Sequence, residues 1–349
     1  MKESFLKHKI NEHSTVKEAL EKLDLLASES VLFVVNQDQK VLGTITDGDL
    51  RRGFIKGLSL THPLKDFMKS SFRFIRKGET SLNDISNFRK LNIKILPEIN
   101  QQGLLIGVVN LEKQKSFLPL DAIIMAGGRG ERLRPLTDAL PKPLLKVGEK
   151  PILEHNIDRL KDFGVKDFWI TLNYLGEKIE NFFNDGSSKE IRINYIKEQS
   201  FLGTIGAVSL VENLVHDVVL VMNSDLLTSI DYEDFYQTFL DSNASMAVAS
   251  IPYKLNIPYA VLEIENGQIS SFKEKPTYTY QSNAGIYLIK KEVLDYIPNQ
   301  TYFNATDLIE KLIKNGQKVV HYPILSYWLD IGKHEDFQKA QEDIEHLNL

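Results

Sequence analysis

The sequence predicts an α/β protein: a mostly parallel sheet flanked by helices from Leu120 onward, preceded by a small α+β module. Three observations carry this. From Leu120, strand-like and helix-like patterns alternate, the mark of α/β architecture. Residues 122–126 and 218–222 are apolar without interruption, as strands buried on both faces are. Residues 1–115 contain one strand–turn–strand pattern twice. The 349 residues suit two domains, and a 42% apolar content suits sizeable cores. A net charge of −5 argues against a nucleic-acid binder. With no cysteine, disulfides, thiolate metal sites and a cysteine nucleophile are excluded. Residues 1–9 are charged and hold no apolar segment, and no run approaches the ~18 apolar residues of a membrane helix. The expectation is a soluble, cytoplasmic protein with neither membrane nor nucleic acid as partner.

In chain order, residues 32–37 and 41–45 align without gaps to 96–101 and 105–109. A helical pattern precedes each copy: Val16, Ala19, Leu20 and Leu23, then Leu82, Ile85 and Phe88. Pro97 and Glu98 stand in a strand slot, which predicts an edge position for that strand. The first copy runs on into Thr46-Asp47-Gly48-Asp49-Leu50-Arg51-Arg52. Taken alone, Asp47 and Asp49 read as turn and helix-cap residues. The segment also resembles the CBS domain pair, whose Gly-x-x-Thr-x-x-Asp pattern is met by Gly43, Thr46 and Asp49. The second copy offers Gly107, Asn110 and Lys113, without the aspartate. The resemblance implies a pair of repeats, about 1–57 and 58–115. It also implies one adenine nucleotide per chain, held by Thr46, Asp49, Arg51 and Arg52, or else a structural or homo-oligomerising role.

A polar connector, residues 113–119, ends in Pro119 and marks the domain boundary, so the second domain spans 119–349. Its first strand breaks into Ala126-Gly127-Gly128-Arg129-Gly130-Glu131-Arg132. Glycines let backbone N–H groups approach a phosphate, and arginines add fork-shaped charged donors. Lys142 follows between Pro141 and Pro143, on a segment stiffened by both rings. No Gly-Lys-Ser/Thr closes the loop, so it is not a Walker A motif, and the glycine spacing is not the Rossmann fingerprint.

The stretch resembles the signature of sugar-1-phosphate nucleotidyltransferases: a strand, Gly-Gly-x-Gly-x-Arg-Leu-x-Pro-Leu-Thr, then Pro-Lys-Pro. Glu131 departs from the usual threonine.

Further on, Pro151 should open a helix bearing Leu153, Ile157 and Leu160 and closed by Gly164. Strands are expected at 168–172 and 191–196, with a helix at 177–183 between them. Glu198 then leads to Leu202-Gly203-Thr204-Ile205-Gly206-Ala207. On residues alone this is a strand-to-helix turn with Thr204 as cap. It resembles the family's base-holding segment in the form closest to the guanylyltransferase branch, with Ile205 replacing alanine.

Asp225 stands at the carboxyl end of strand 218–222, the edge where ligands bind in open α/β sheets. The family pattern there is Asn-Gly-Asp, and Ser224 departs from it. An Asn266-Gly267 turn predicts a hairpin. Glu274-Lys275-Pro276 and Asn283-Ala284-Gly285 match the family's sugar segments. Thr306 should cap a helix carrying Leu308, Ile309, Leu312 and Ile313. Trp328-Leu329-Asp330 places a carboxylate among apolar neighbours, and His334 should open the terminal helix.

The resemblance implies a Rossmann-like, glycosyltransferase-A-like fold and transfer of a nucleotidyl group from an NTP, GTP by preference, to a sugar-1-phosphate such as that of mannose or glucosamine. It implies Arg132 and Lys142 on the triphosphate and Lys275 on the sugar phosphate. Asn283 would hold sugar hydroxyls, with Ala126, Gly127, Gly128, Gly130, Glu198, Gly203 and Thr204 around the nucleotide. Mg²⁺ would sit on Asp225 and Asp330. The alternatives are uridylyl, thymidylyl or cytidylyl transfer and, from another class, an inactive nucleotide-sensing protein.

Overall fold

The computed structural model describes residues 5–76 and 80–347; residues 1–4 of the charged start, 77–79 of the second repeat and the last two residues lie outside it. The chain divides into two compact units, Met1–Phe117 and Leu118–Leu349. Among the described residues no helix is long and apolar enough to cross a membrane.

The first unit contains β1 (Lys9–Asn11), α1 (Val16–Leu26), β2 (Val31–Val35), β3 (Val41–Thr46) and α2 (Asp47–Ile55), then β4 (Ile75–Arg76), α3 (Leu82–Lys90), β5 (Ile95–Ile99) and β6 (Leu105–Asn110). Each half forms the same sheet, ordered β1-β2-β3 or β4-β5-β6, with a parallel first pair and an antiparallel second. Even the register irregularity recurs, between Val34 and Val35 and between Glu98 and Ile99. The halves join reciprocally: the Val41 N–H donates to the Gly103 carbonyl, and the Leu105 N–H to that of Gln39. Val41 is the repeat equivalent of Leu105, and Gln39 of Gly103, so the joint is an internal twofold. Val35, Val41, Ile99 and Leu105 share one core across it.

Three helices in this unit begin with a capping box, Thr15 with Glu18, Thr46 with Asp49 and Ser81 with Asp84. Two expectations change. Leu20 is 37% exposed, because the buried seam of α1 is the narrower set Val16, Ala19, Leu23 and Leu26, which Leu20 only flanks. The strand holding Pro97 is central, not an edge. Proline is tolerated there because β4 is two residues long and meets β5 only at Glu98 and Ile99, leaving Pro97 beyond its end.

Glu29 ties the two repeats together. Its carboxylate accepts from Lys7 (2.8 Å), Lys113 (2.9 Å) and Asn110 (3.0 Å), which hold it well below the usual glutamate range. A depressed carboxylate stabilises the fold above its unfolded value and loses that contribution as pH falls through the folded one. Glu29→Gln should therefore cost about 1 kcal/mol at neutral pH. The difference from the parent should shrink as the medium is acidified below pH ~4. Hydrogen exchange of β6 amides at both pH values checks it; a pH-independent difference would contradict it.

The second unit begins with β7 (Asp121–Met125) and a ribbon of β8 (Lys146–Val147) and β9 (Lys150–Pro151). Next come α4 (Ile152–Asp162), β10 (Asp167–Leu172), α5 (Gly176–Phe183), β11 (Arg192–Lys197), β12 (Val218–Asn223), β13 (Leu226–Thr228) and α6 (Tyr232–Ser242). They are followed by β14 (Met246–Asn256), β15 (Val261–Glu265), β16 (Gln268–Lys273) and β17 (Thr277–Lys290). The unit ends with α7 (Ala305–Lys314), β18 (Val319–Pro323), β19 (Trp328–Asp330) and α8 (His334–Asp343).

The main sheet runs β11-β10-β7-β12-β17-β14-β18. All its pairings are parallel except those of β17. Ile123, Val219, Val221, Tyr287 and Leu308 knit the sheet to α7. Pro151 ends β9, and α4 starts one residue later than expected. Asn304, not Thr306, caps α7, its N–H donating to Asp307 (2.8 Å). His334 does open α8, and its Nε2 lies 2.8 Å from the Arg134 carbonyl.

Candidate active site

β7 and β12 pair in parallel with Met125 opposite Asn223, so their carboxyl ends are level. Both end at a cavity of about 870 Å³. Its floor is the glycine loop. A side chain at Gly127 would stand 2.5 Å from Glu198 Oε1, so only glycine lets this carboxylate lie against the loop. Gly130 has φ +63° and turns the chain into residues 131–133, which carry Arg132 into the cavity wall.

Opposite the loop, β12 leaves the sheet through Ser224 and Asp225 into β13. Buried Asn156 on α4 steadies this turn, donating to the Leu226 carbonyl (2.9 Å). β13 pairs with β19, Leu226 facing Asp330, and the Ile331 N–H donates to the Asp225 carbonyl (3.1 Å). That small ladder is what brings Asp225 and Asp330 together across a hundred residues. Lys142, itself buried, reaches both: its Nζ is 2.5 Å from Asp225 Oδ2 and 3.9 Å from Asp330 Oδ1. The remaining Asp225 Oδ1 and the Asp330 Oδ1 are buried without a hydrogen-bond partner. Burial first, and the Asp225 carboxylate second, push Asp330 above the usual aspartate range; Lys142 and Arg132 oppose them. Two converging carboxylates with orphaned oxygens fit a hard divalent cation.

Glu198 lies at the other end of the cavity. It is 8% exposed, and burial raises its carboxyl even though the Leu202 N–H (3.0 Å) and the Thr171 hydroxyl favour the ionised form. Gly203 and Thr204 line the same end, but the Thr204 hydroxyl already accepts from the Ala305 N–H (2.9 Å) and so serves the start of α7. Ile205 is fully buried in the sheet core.

Thus Ala126, Gly127, Gly128, Gly130, Arg132, Lys142, Glu198, Gly203, Thr204 and Asp225 line one cavity, and Asp330 joins it through Lys142. Asn283, on β17, is not among the lining residues; its amide donates to the Tyr287 hydroxyl (2.9 Å) and accepts from the Gly285 N–H (2.9 Å), and Gly285 packs against the Asn223 side chain. Lys275 is not brought in. It follows exposed β16 with φ +43°, and Thr277, two residues later, opens the far end of β17, roughly 20 Å along the strand from Asn283. The family motif located Lys275 in sequence, and it is not among the residues that line this cavity. Sequence reasoning missed Asn173, which lines the cavity directly after β10. The same strand-end rule that found Asp225 would have found it.

A second acidic group lies at the opposite ends of the strands. Asp121, Asp167 and His216 bring ligand-type atoms within 4.8 Å of one another. Asp121 accepts from the Val215 and His216 N–H groups (2.7 and 2.8 Å) and meets the His216 ring, while Asp167 pairs with Arg192. It latches the loop before β12 to β7. In the first unit, Thr46 and Asp49 cap α2, and Asp49 also pairs with Arg52 (2.6 Å).

The family model for nucleotidyl transferase matches residues 121–346. The chain belongs to the nucleotidyl transferase family. It is 31% identical over 233 residues to the mannose-1-phosphate guanylyltransferase of Mycobacterium tuberculosis, covering 64% of either chain. It is 30% identical over 241 residues to the UTP–glucose-1-phosphate uridylyltransferase of Synechocystis, covering 63% of this chain and 62% of that one. The chain thus spans a little under two thirds of these relatives. Among solved structures, HddC from Yersinia pseudotuberculosis superposes with a TM-score of 0.52 at 26% identity, over 64% of this chain and 99% of that one. Its complex with GMP-PN superposes at 0.50, with 25% identity over the same shares. The nucleotidyl transferase match leaves residues 1–120 outside it.

Proposed function

We propose that this nucleotidyl transferase joins an NTP to a sugar-1-phosphate, releasing pyrophosphate and forming an NDP-sugar. The observation that carries the reading is the pair Lys142 and Asp225 lining one cavity with the glycine loop, with Asp330 joined to them through Lys142. A sugar-phosphate oxygen is already an anion, so no general base is needed. That oxygen forms a bond to the α-phosphorus, and the bond from the α-phosphorus to the pyrophosphate oxygen breaks. The protein's task is to bring two polyanions together and to neutralise charge in the transition state. Loop N–H groups, Arg132 and Lys142 hold the triphosphate and the leaving pyrophosphate. Asp225 and Asp330 would hold Mg²⁺, which when bound supplies charge neutralisation at the reacting phosphates. On the family motifs alone, Asn283 is assigned to sugar hydroxyls and Lys275 to the sugar phosphate.

The base reading rests on Glu198. Guanine presents N1–H and N2–H side by side, two donors that match one carboxylate, whereas uracil and thymine present a single N–H between two carbonyls. The GMP-PN complex of HddC supports the same choice. Rates of pyrophosphate release with GTP, UTP, dTTP and CTP against mannose-, glucosamine- and glucose-1-phosphates test it. GTP should lead by at least tenfold in kcat/KM; a UTP or dTTP preference would overturn the base assignment. Nucleotide binding without pyrophosphate from any pair would favour the inactive sensor.

We further propose that residues 1–115 form a CBS-type pair. The reciprocal joint between its repeats is the supporting observation. An adenine nucleotide at Thr46, Asp49, Arg51 and Arg52 must displace Arg52 from Asp49. Calorimetry with AMP, ADP and ATP decides between this and a structural or oligomerising role.

A further inference from the structure

We propose that in the substrate-free protein Lys142 acts as the counter-ion that closes the Asp225–Asp330 site to divalent cations, and that a polyphosphate opens the site by drawing the lysine away. The inference rests on the metal and phosphate roles assigned above, and it adds an order between them. The Lys142 ammonium stands where a bridging cation would, 2.5 Å from one carboxylate and 3.9 Å from the other. It and a hard cation bound at about 2.1 Å from the same oxygens cannot share that space. With the lysine in place the three side chains sum to −1; once it leaves, the two carboxylates offer −2 to a doubly charged ion. The orphaned Oδ1 atoms show that the lysine satisfies the pair only partly, so the arrangement is one that a better cation can replace.

The stem of Lys142 is pinned. It lies between Pro141 and Pro143, and its Cβ is 3.1 Å from where a Gly130 side chain would begin. Only the end of the chain is free to swing, and the anion it can swing toward is whatever lies on the glycine loop and Arg132. Phosphate and carboxylate thus compete for one ammonium. By linkage, the polyphosphate raises cation affinity by the same factor as the cation raises polyphosphate affinity.

Mn²⁺ titration of the full chain, free ion read by electron paramagnetic resonance and no nucleotide present, tests this. Lys142→Met should bind Mn²⁺ at least about tenfold more tightly than the parent. Lys142→Arg, which keeps a cation, should remain near the parent. Arg129→Met removes a cavity charge without touching the pair, and should change Mn²⁺ affinity less than about threefold. Unchanged or weaker binding in Lys142→Met, or an equal gain in Arg129→Met, would overturn the proposal. A second measurement does not depend on that variant folding. Inorganic triphosphate in EDTA should bind Asp225→Asn about tenfold more tightly than the parent, because the lysine is released; no gain would also overturn it. If Asp225→Asn leaves Mn²⁺ binding intact, the metal assignment itself is wrong. If Asp225→Asn abolishes it while Lys142→Met does nothing, only the closure is wrong.

Discussion

Asp225→Asn is expected to lower turnover at least a hundredfold while leaving the fold intact. Asparagine keeps the volume and one oxygen, and the backbone contact from the Ile331 N–H to the residue 225 carbonyl does not involve the side chain. What goes is one of the two charges proposed to hold the cation, and the partner that Lys142 leans on. Loss of one main electrostatic element of a phosphoryl-type transfer is worth about 3 kcal/mol or more in the barrier, hence the factor. Pyrophosphate release at saturating substrates measures the turnover, and a thermal melt controls for folding. Turnover within threefold of the parent with Mg²⁺ present would remove Asp225 from the mechanism.

Glu198→Gln is expected to cut kcat/KM for GTP by about a hundredfold and to narrow or reverse the lead over UTP. A site built around a hydrogen-bonding partner discriminates strongly, because mismatched buried groups are left unpaired. Glutamine turns one acceptor into a donor facing guanine's own donors, yet it can still take the Leu202 N–H. The loss should therefore fall on base choice rather than on stability. Equal losses with GTP and UTP would show that Glu198 shapes the loop without reading the base. The residue also sets a pH dependence. Its carboxyl is raised by burial, and it must be ionised to accept from guanine, so the preference for GTP should decline as the medium is acidified through that raised value.

The strands that build the site were readable because burial on both faces leaves an unbroken apolar run, as at 122–126 and 218–222. Glycine and proline positions were readable for a similar reason: their backbone limits are local. Gly127 and Gly130 act within a few residues of themselves, and the lysine between two prolines lies where its stiff segment suggests. Long-range geometry was less legible. The resemblance paired Asp225 with Asp330, but only the β13–β19 ladder explains why they meet. Lys275 shows the converse: its motif matches in sequence, yet it is not among the residues lining the cavity. Caps went astray where two acceptors compete. Thr306 looked like the start of α7, but Asn304 and the distant Thr204 share that end between them. Pro97 looked like an edge residue because a sequence does not reveal how short its neighbouring strand is.

In this reading the cavity joins a sugar-phosphate oxygen to the α-phosphorus of an NTP. Incubation of the full chain with GTP and a sugar-1-phosphate bearing ¹⁸O at all four phosphate oxygens, with mass analysis of both products, tests it most directly. The NDP-sugar should retain every label and the pyrophosphate should carry none. Label in the pyrophosphate, or no labelled NDP-sugar with any of the four NTPs, would contradict it.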